Sequence, residues 1–428
     1  MKRPLAYALF AFIAQTLTAF EPAEDGIYAV FDTSMGEFAV KLAYDGVPLT
    51  TANFVGLAEG RIPQFDENGE ATELAPYYDG TIFHRVVKSG LIQSGDPDPD
   101  DDQVNGPGYR IPDEMHPNLT HNIPYVIAMA NNYCFECEEA GQFFGIGENT
   151  GGSQFYLTVE PPANSSGLGF LDGHFTIFGV VESGSEVLEA ISSVAVDANE
   201  KPLEDVVIHT VSIVRKGAAA QAWAIENYEL PVVTSANQRI QLADDQDGPA
   251  LQFPTQSGEK LLLRQSADLA AWSETFINAS ETGDHAIDLG PQDKLFLELL
   301  ALKAPATHEE RLPNAVFKAT LPNHPLSGET WTFSFNENLD DIDDPNGFGV
   351  VSVPDLPDAV IFGYEYHRLP NGGRIRVVTQ SYQVITYYLR YTDGNKGSVF
   401  AWVDDYLHGT GSAPLRFPAT GSFELVRP

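Results

Sequence analysis

The chain has 428 residues, 43% hydrophobic and 11% aromatic. That is long enough for two or three cores at ~100–200 residues each and too apolar for a wholly disordered chain. Its 24 Lys+Arg against 60 Asp+Glu leave a formal net charge of −36, which repels phosphate backbones and anionic headgroups and argues against nucleic-acid or membrane-surface binding, while two cysteines exclude a disulfide-stapled scaffold and a structural zinc site of four thiolates.

Met1-Lys2-Arg3 is a short positive segment. An uncharged, mostly apolar run follows from Leu5 to Leu17, then Thr18 and Ala19. This is the anatomy of a secretory signal peptide over residues 1–19. The run is shorter than the ~20 residues a spanning helix needs. The expectation is a protein exported to the periplasm or beyond the cell, with no stable membrane insertion once the segment is removed.

Residues 24–216 alternate short strands, turns and two helical patches. Glu37 to Leu42 places Phe38, Val40 and Leu42 on one face, as a half-buried strand does. Thr50 to Ala58 reads as a helix, with Pro48 just before it and Gly60 stopping it. A second helix is expected from Glu186 to Ser192, capped by Ser185, with Val187, Leu188 and Ile191 inward. Lys216 to Trp223 changes composition and reads as a linker or short helix. Residues 217–312 then form a linker plus a small β module around Leu261–Phe276 and Leu295–Leu302. Residues 313–428 form a β-rich domain whose runs include Glu329–Phe335, Arg374–Val378, Gln383–Tyr391 and Gly397–Val403. Their spacing suggests an antiparallel sandwich or small barrel.

The first domain carries ordered blocks: VPLTTANF at 47–54, YDGTIFHRVV at 78–87, LIQSGDP at 91–97 and GPGYRIPDE at 106–114. AMAN at 128–131, NTGGSQFY at 149–156 and LDGHFTIFG at 171–179 follow. In this order and spacing the segment from about Ile27 to Arg215 resembles the cyclophilin-type peptidyl-prolyl cis–trans isomerases. The resemblance implies a mainly β fold: an eight-stranded antiparallel barrel capped by two helices, with a substrate groove on its outer face. It also implies roles. Arg85 matches the catalytic arginine and Gln93 the glutamine that holds it. Ala130 and Asn131 match groove residues that pair with the substrate main chain, and Gln154 matches the groove wall. Leu91, Tyr156 and Leu171 match the pocket for the proline ring, with Phe170 and Phe175 on its rim. The chain departs from the family where Gly90 stands in place of a phenylalanine at the pocket's base, Phe175 in place of a rim histidine, Phe170 in place of a tryptophan and Tyr156 in place of a phenylalanine.

The chemistry such a site needs is modest. A peptide bond resists rotation by ~18–20 kcal/mol because the nitrogen lone pair is delocalised into the carbonyl. X–Pro bonds are only weakly biased between isomers. A catalyst therefore requires no nucleophile, metal or cofactor. It requires an apolar socket for the ring, main-chain anchors, and a fixed donor aimed at the prolyl nitrogen, whose lone pair localises in the twisted state. An arginine offers rigid, always-charged donors for that purpose. The expected partners are proline-containing polypeptides, and the expected role is folding assistance to exported proteins. Two alternatives stay open: a catalytically weak peptide-binding or holdase module, and a surface- or glycan-binding protein carrying an isomerase domain.

Cys134 and Cys137 form a CxxC that could be a local disulfide, a redox motif or half of a metal site. With no second pair and no His cluster nearby in sequence, a disulfide pinning the loop is the expectation. The acidic stretch from Asp96 to Asp102 could gather calcium, but it lacks the glycine and terminal glutamate of an EF-hand and reads as a solvated loop. His84 and His121 read as structural.

Overall fold

The computed structural model describes residues 20–66, 71–100, 106–135, 147–159, 168–228 and 230–236, and beyond these the strands of residues 241–426 with a few flanking positions. The leading segment 1–19 and Cys137 lie outside the described residues.

β1 (Gly26–Thr33) and β2 (Gly36–Leu42) form a hairpin whose Ile27, Ala29, Phe31, Phe38, Val40 and Leu42 turn into one core. This is the period-two alternation of a strand with one face on the interior. β3 (Gln64–Phe65) and β4 (Ala71–Glu73) make a small separate hairpin. β5 (Arg85–Val87), β6 (Leu91–Ser94), β7 (Val126–Met129), β8 (Phe155–Thr158), β9 (Ile177–Ser183) and β10 (Ile208–Lys216) complete the main sheet. Its eight strands run in the order β10-β1-β2-β9-β7-β8-β6-β5, each antiparallel to its neighbours.

The sheet curls until its two ends meet. Phe83 N–H donates to the Val206 carbonyl at 2.9 Å, and Ile208 N–H donates to Thr81 at 2.8 Å. The segment leading into β5 thus pairs with the segment leading into β10. Inside lie Phe31, Phe38, Phe54, Phe155 and Phe178, with Phe31 and Phe38 stacked at 4.5 Å.

α1 spans Pro48–Ala58, starting two residues before the expected Thr50 because proline is suited to the first helical turn. No side chain of its own caps it. The buried Glu114 carboxylate does so instead, accepting the Thr50 N–H at 2.6 Å, where negative charge suits the helix N-terminus. α2 spans Ser185–Ile191, so Ser185 is its first helical residue rather than its cap. The cap is Gly184 at φ 80°, where an added Cβ would sit 2.5 Å from the Glu37 carbonyl oxygen. Only glycine fits there.

Of the linker or short helix expected after Lys216, the structure has the helix, and it belongs to the first core. α3 (Ala218–Ala222) and the turn Ile225–Asn227 bring Ala220, Ile225, Leu230 and Val232 into the same buried cluster as the barrel's interior. The apolar positions of 218–232 had an unfilled face of α1 to cover, and composition alone does not reveal that.

Two small sheets follow. β11 (Val233–Ser235), β14 (Lys260–Ser266), β15 (Ser273–Asn278) and β17 (Phe296–Leu302) pair in the order β11-β17-β14-β15. β12 (Gln241–Asp245), β13 (Gly248–Thr255) and β16 (Gly283–Asp288) make the second. Phe253 of the second packs with Leu261, Leu263, Ile277 and Leu299 of the first, which makes a sandwich. The opposite face, with Leu262, Leu300 and Leu302, packs against Phe65, Ala71 and Leu74 around the β3–β4 hairpin.

The last region holds β18 (Glu309–Glu310), β19 (Val316–Thr320), β20 (Thr330–Phe335), β21 (Gly349–Ser352) and β22 (Ala359–Leu369). β23 (Gly372–Thr379), β24 (Gln383–Asp393), β25 (Lys396–Thr410) and β26 (Ala413–Val426) complete it. β19 through β26 pair in succession, and β26 returns to pair with β19. The pairings close into an up-and-down ring, the small-barrel alternative of the sequence reading. Phe317, Phe333, Tyr387 and Phe423 share its buried core.

Candidate active site

Cross-strand partners share a face of a sheet, and the register of β5, β6, β8, β7 and β9 sorts their residues into two layers. Val86, Ile92, Leu157, Ile127 and Gly179 form one row, and the side chains of the first four enter the barrel core. The adjacent row is Arg85, Gln93, Tyr156, Ala128 and Ile177. It lies on the outer face and runs from charged through polar to apolar.

The apolar end of that row is a cluster of its own. Tyr156, Leu171, Ala128 and Ile177 are buried in it, and Leu91, Ala130, Phe135 and Phe175 pack on its edge. Phe175 meets Tyr156 edge-on at 5.7 Å. Phe170 sits on the turn Gly169–Leu171 and is 54% exposed, a large apolar ring on an open rim. The sequence-expected socket residues Leu91, Tyr156, Leu171, Phe170 and Phe175 therefore gather at one place.

Phe135 was not among the expected residues. It lies between the two cysteines and packs against Phe170, His174 and Phe175, with ring centroids 5.5, 5.2 and 6.2 Å away. Cys134 beside it is disulfide-bonded, and the chain's other cysteine is Cys137. The loop thus contributes an aromatic ring to the rim.

Tyr156 is anchored from behind. Its hydroxyl lies 2.7 Å from His121 Nε2, and His121 Nδ1 lies 2.7 Å from the Asp172 carboxylate. The carboxylate thus faces Nδ1, and the other ring nitrogen faces the Tyr156 hydroxyl. Burial and the nearby Asp172 charge hold the Tyr156 phenol well above its usual range, and it stays protonated.

At the polar end, Gln93 Nε2 donates to Gln154 Oε1 at 2.9 Å, and Gln154 Nε2 donates to Asp96 Oδ2 at 2.8 Å. Asp96 thereby fixes which way both amides face. Ala130 N–H donates to the Gln154 carbonyl at 2.9 Å, which extends the β7–β8 pairing past Met129 and Phe155. The Asn131 amide donates to the His174 carbonyl at 2.7 Å and to Asp113 Oδ1 at 3.2 Å. Its side chain is thereby tied to the two segments around Asp113 and His174.

Arg85 departs from the expectation. Gln93 lies directly across the ladder from it, but the Gln93 amide nitrogen is directed to Gln154. The arginine's Nε donates to Glu200, at 2.7 Å from Oε2. Nothing in the sequence near Glu200 signals this contact, which spans 115 residues. Among the described residues, no cluster of three or more His, Cys, Asp or Glu could hold a metal ion, and no helix is long and apolar enough to cross a membrane.

The family model for cyclophilin-type peptidyl-prolyl cis–trans isomerases matches residues 28–213. A probable peptidyl-prolyl cis–trans isomerase A of Mycobacterium leprae is 39% identical over 188 residues, covering 43% of this chain and 91% of that protein. Peptidyl-prolyl cis–trans isomerase B of Streptomyces anulatus is 38% identical over 190 residues, covering 44% of this chain and 96% of that protein. A solved cyclophilin-type isomerase of Cryptosporidium parvum aligns with 45% of this chain and 99% of its own at 26% identity and a TM-score of 0.33, in a crystal containing the dipeptide Ala-Pro. The bacterial relatives are matched over nearly their whole length by a segment that carries the outer-face row from Arg85 to Tyr156, and through it the chain belongs to the cyclophilin-type peptidyl-prolyl cis–trans isomerase family.

Proposed function

We propose that the Arg85 groove isomerises X–Pro bonds in exported polypeptides and so assists their folding. The observation that carries the reading is the outer face on which the Arg85 guanidinium, the Gln93 amide hydrogen-bonded to Gln154, and the apolar cluster around Tyr156 lie side by side. A proline ring seated against Leu91, Tyr156 and Leu171 puts its ring nitrogen on the Gln93 and Arg85 side. As the peptide bond twists, the nitrogen lone pair localises and accepts a hydrogen bond from the guanidinium. That donor contacts the twisted state more strongly than either planar isomer, which is the condition for lowering a barrier.

Export is supported by the charged-then-apolar segment of residues 1–19 and by the disulfide at Cys134, a bond at home in oxidising compartments. A protease-coupled isomerisation assay tests the chemistry. Arg85→Ala should lower kcat/KM by roughly 100-fold or more, the size of a lost transition-state donor, with an unchanged circular dichroism spectrum because Arg85 is exposed. Activity within twofold of wild type would sink the mechanism. N-terminal sequencing of the protein from the extracellular or periplasmic fraction tests export. Recovery only from the cytoplasm with Met1 intact would overturn it.

A further inference from the structure

Glu200 is one of few non-glycine residues in a left-handed conformation, at φ 65°. A side chain there is strained, and such strain persists only where its surroundings enforce it. The surroundings are specific. The Asp197 carboxylate accepts the N–H groups of Asn199 and Lys201 at 2.8 and 2.9 Å, which clasps the loop. The Glu200 carbonyl accepts the N–H of Val86, the residue after Arg85, at 2.8 Å. Lys201 Nζ reaches Asp100 Oδ1 at 2.6 Å on the far side. The loop is thus hydrogen-bonded to β5 itself, and its strained residue aims a carboxylate at the Arg85 Nε.

Stability does not explain the arrangement. Both side chains of the pair are more than 40% exposed, at 46% and 42%, and ion pairs so open to water contribute little. A glycine at position 200 would relieve the backbone. What the carboxylate does achieve is geometric. It engages Nε, the nitrogen nearest the main chain, and fixes the plane of the guanidinium without using either terminal Nη group. Those are the donors furthest from the main chain.

Given the isomerase reading of Arg85, on which this rests, we propose that Glu200 is a positioning residue for catalysis. It holds the guanidinium plane so that an Nη–H meets the prolyl nitrogen in the twisted state. Its contribution belongs to the catalytic step and not to peptide binding, since Glu200 touches Arg85 and no residue of the apolar socket.

The test uses the full chain with Glu200→Gly, Glu200→Asp, Arg85→Ala and the double variant Arg85→Ala/Glu200→Gly. Glu200→Gly should melt at or above the wild-type temperature because the strain is gone. Its kcat/KM should fall roughly tenfold, within what a misplaced catalytic group costs. Affinity for an Ala-Pro-containing peptide, by calorimetry, should change less than twofold. Glu200→Asp keeps a carboxylate and should recover part of the loss. In the Arg85→Ala background, Glu200→Gly should have no further effect. If Glu200→Gly isomerises as fast as wild type or faster, while Arg85→Ala is inactive, the positioning role is wrong and the reading of Arg85 stands. A further loss in the double variant would likewise overturn it, because Glu200 would then act without Arg85. Full activity of Arg85→Ala alone would instead remove the reading on which the inference rests.

Discussion

His84, next to Arg85, shows burial prevailing over charge. The barrel wall around it, with Arg85 and Lys201 nearby, pushes its pKa down to about 4. It is neutral at physiological pH and has no part in a reaction that transfers no proton. The cost appears in stability. The unfolded chain takes up the proton near the ordinary value of about 6.5, the folded chain only near 4. Between these values the unfolded state binds more protons, so stability falls as pH drops through that window and is fully present above it. A His84→Phe variant should lack this component. Its urea midpoint should shift less than wild type's between pH 7 and pH 4, by an amount worth about 1–3 kcal/mol at the acid end. Parallel acid limbs for the two proteins would show that His84 is protonated in the folded state as readily as in the unfolded one.

The β5–β6 hairpin is the element that decides how good the socket is. Gly90 stands at its turn in place of the family's phenylalanine. The left-handed residue in that turn is the neighbouring Ser89, at φ 54°, and Gly90 is not among the glycines with positive φ. An added Cβ would meet Val87 Cγ1 at 3.2 Å and the Val87 carbonyl oxygen at 3.4 Å. That is tight, but the first contact is with a side chain that can give. Gly90→Phe should therefore fold and supply a wall beside Leu91. A fully buried phenylalanine is worth ~1.5–3 kcal/mol, and a bound proline ring recovers part of it, so kcat/KM should rise roughly three- to twentyfold. A variant that melts like wild type yet gains nothing would mean that the aromatic rim around Phe175 and Phe135 already closes the socket.

The same element shows why some of the site was readable in sequence and some was not. Arg85, Gln93 and Tyr156 lie in short strands within the motifs that carry the family resemblance, and that resemblance implies their gathering at one groove. Glu200 comes from a loop and Phe135 from the segment that follows Cys134. Their positions depend on a left-handed residue and on a disulfide-bonded segment, neither of which leaves a periodic signal. The Ser185 cap failed for a related reason: Gly184 at positive φ already turned the chain, and the serine moved into the helix. At the C-terminal end, strand runs were evident from composition, but closure of β26 onto β19 is a pairing between distant residues that no local pattern encodes.

At the scale of the whole molecule, the question is where the isomerase unit ends. The resemblance stops near Arg215, and the composition changes at Lys216. The packing does not stop there. Arg215 makes two hydrogen bonds to the Glu59 carboxylate at the end of α1, and Trp223 Nε1 donates to the Tyr228 hydroxyl at 2.8 Å. Beyond them Ile225, Leu230 and Val232 are each at most 1% exposed within the barrel's own core cluster. At ~1.5–3 kcal/mol for each buried side chain, these three contribute about 5–9 kcal/mol as an upper bound. A typical domain has only ~5–15 kcal/mol in total. A chain of residues 20–216 should therefore melt well below one of residues 20–236, or fail to fold, although both contain every groove residue. Thermal unfolding followed by circular dichroism, with isomerase activity measured in parallel, distinguishes them. Equal melting temperatures would show that α1 tolerates an open face and that residues 217–232 are the linker their composition suggests. If the shorter chain is unstable and the longer one is active, the sandwich and the closed ring of strands after residue 236 are not needed for catalysis.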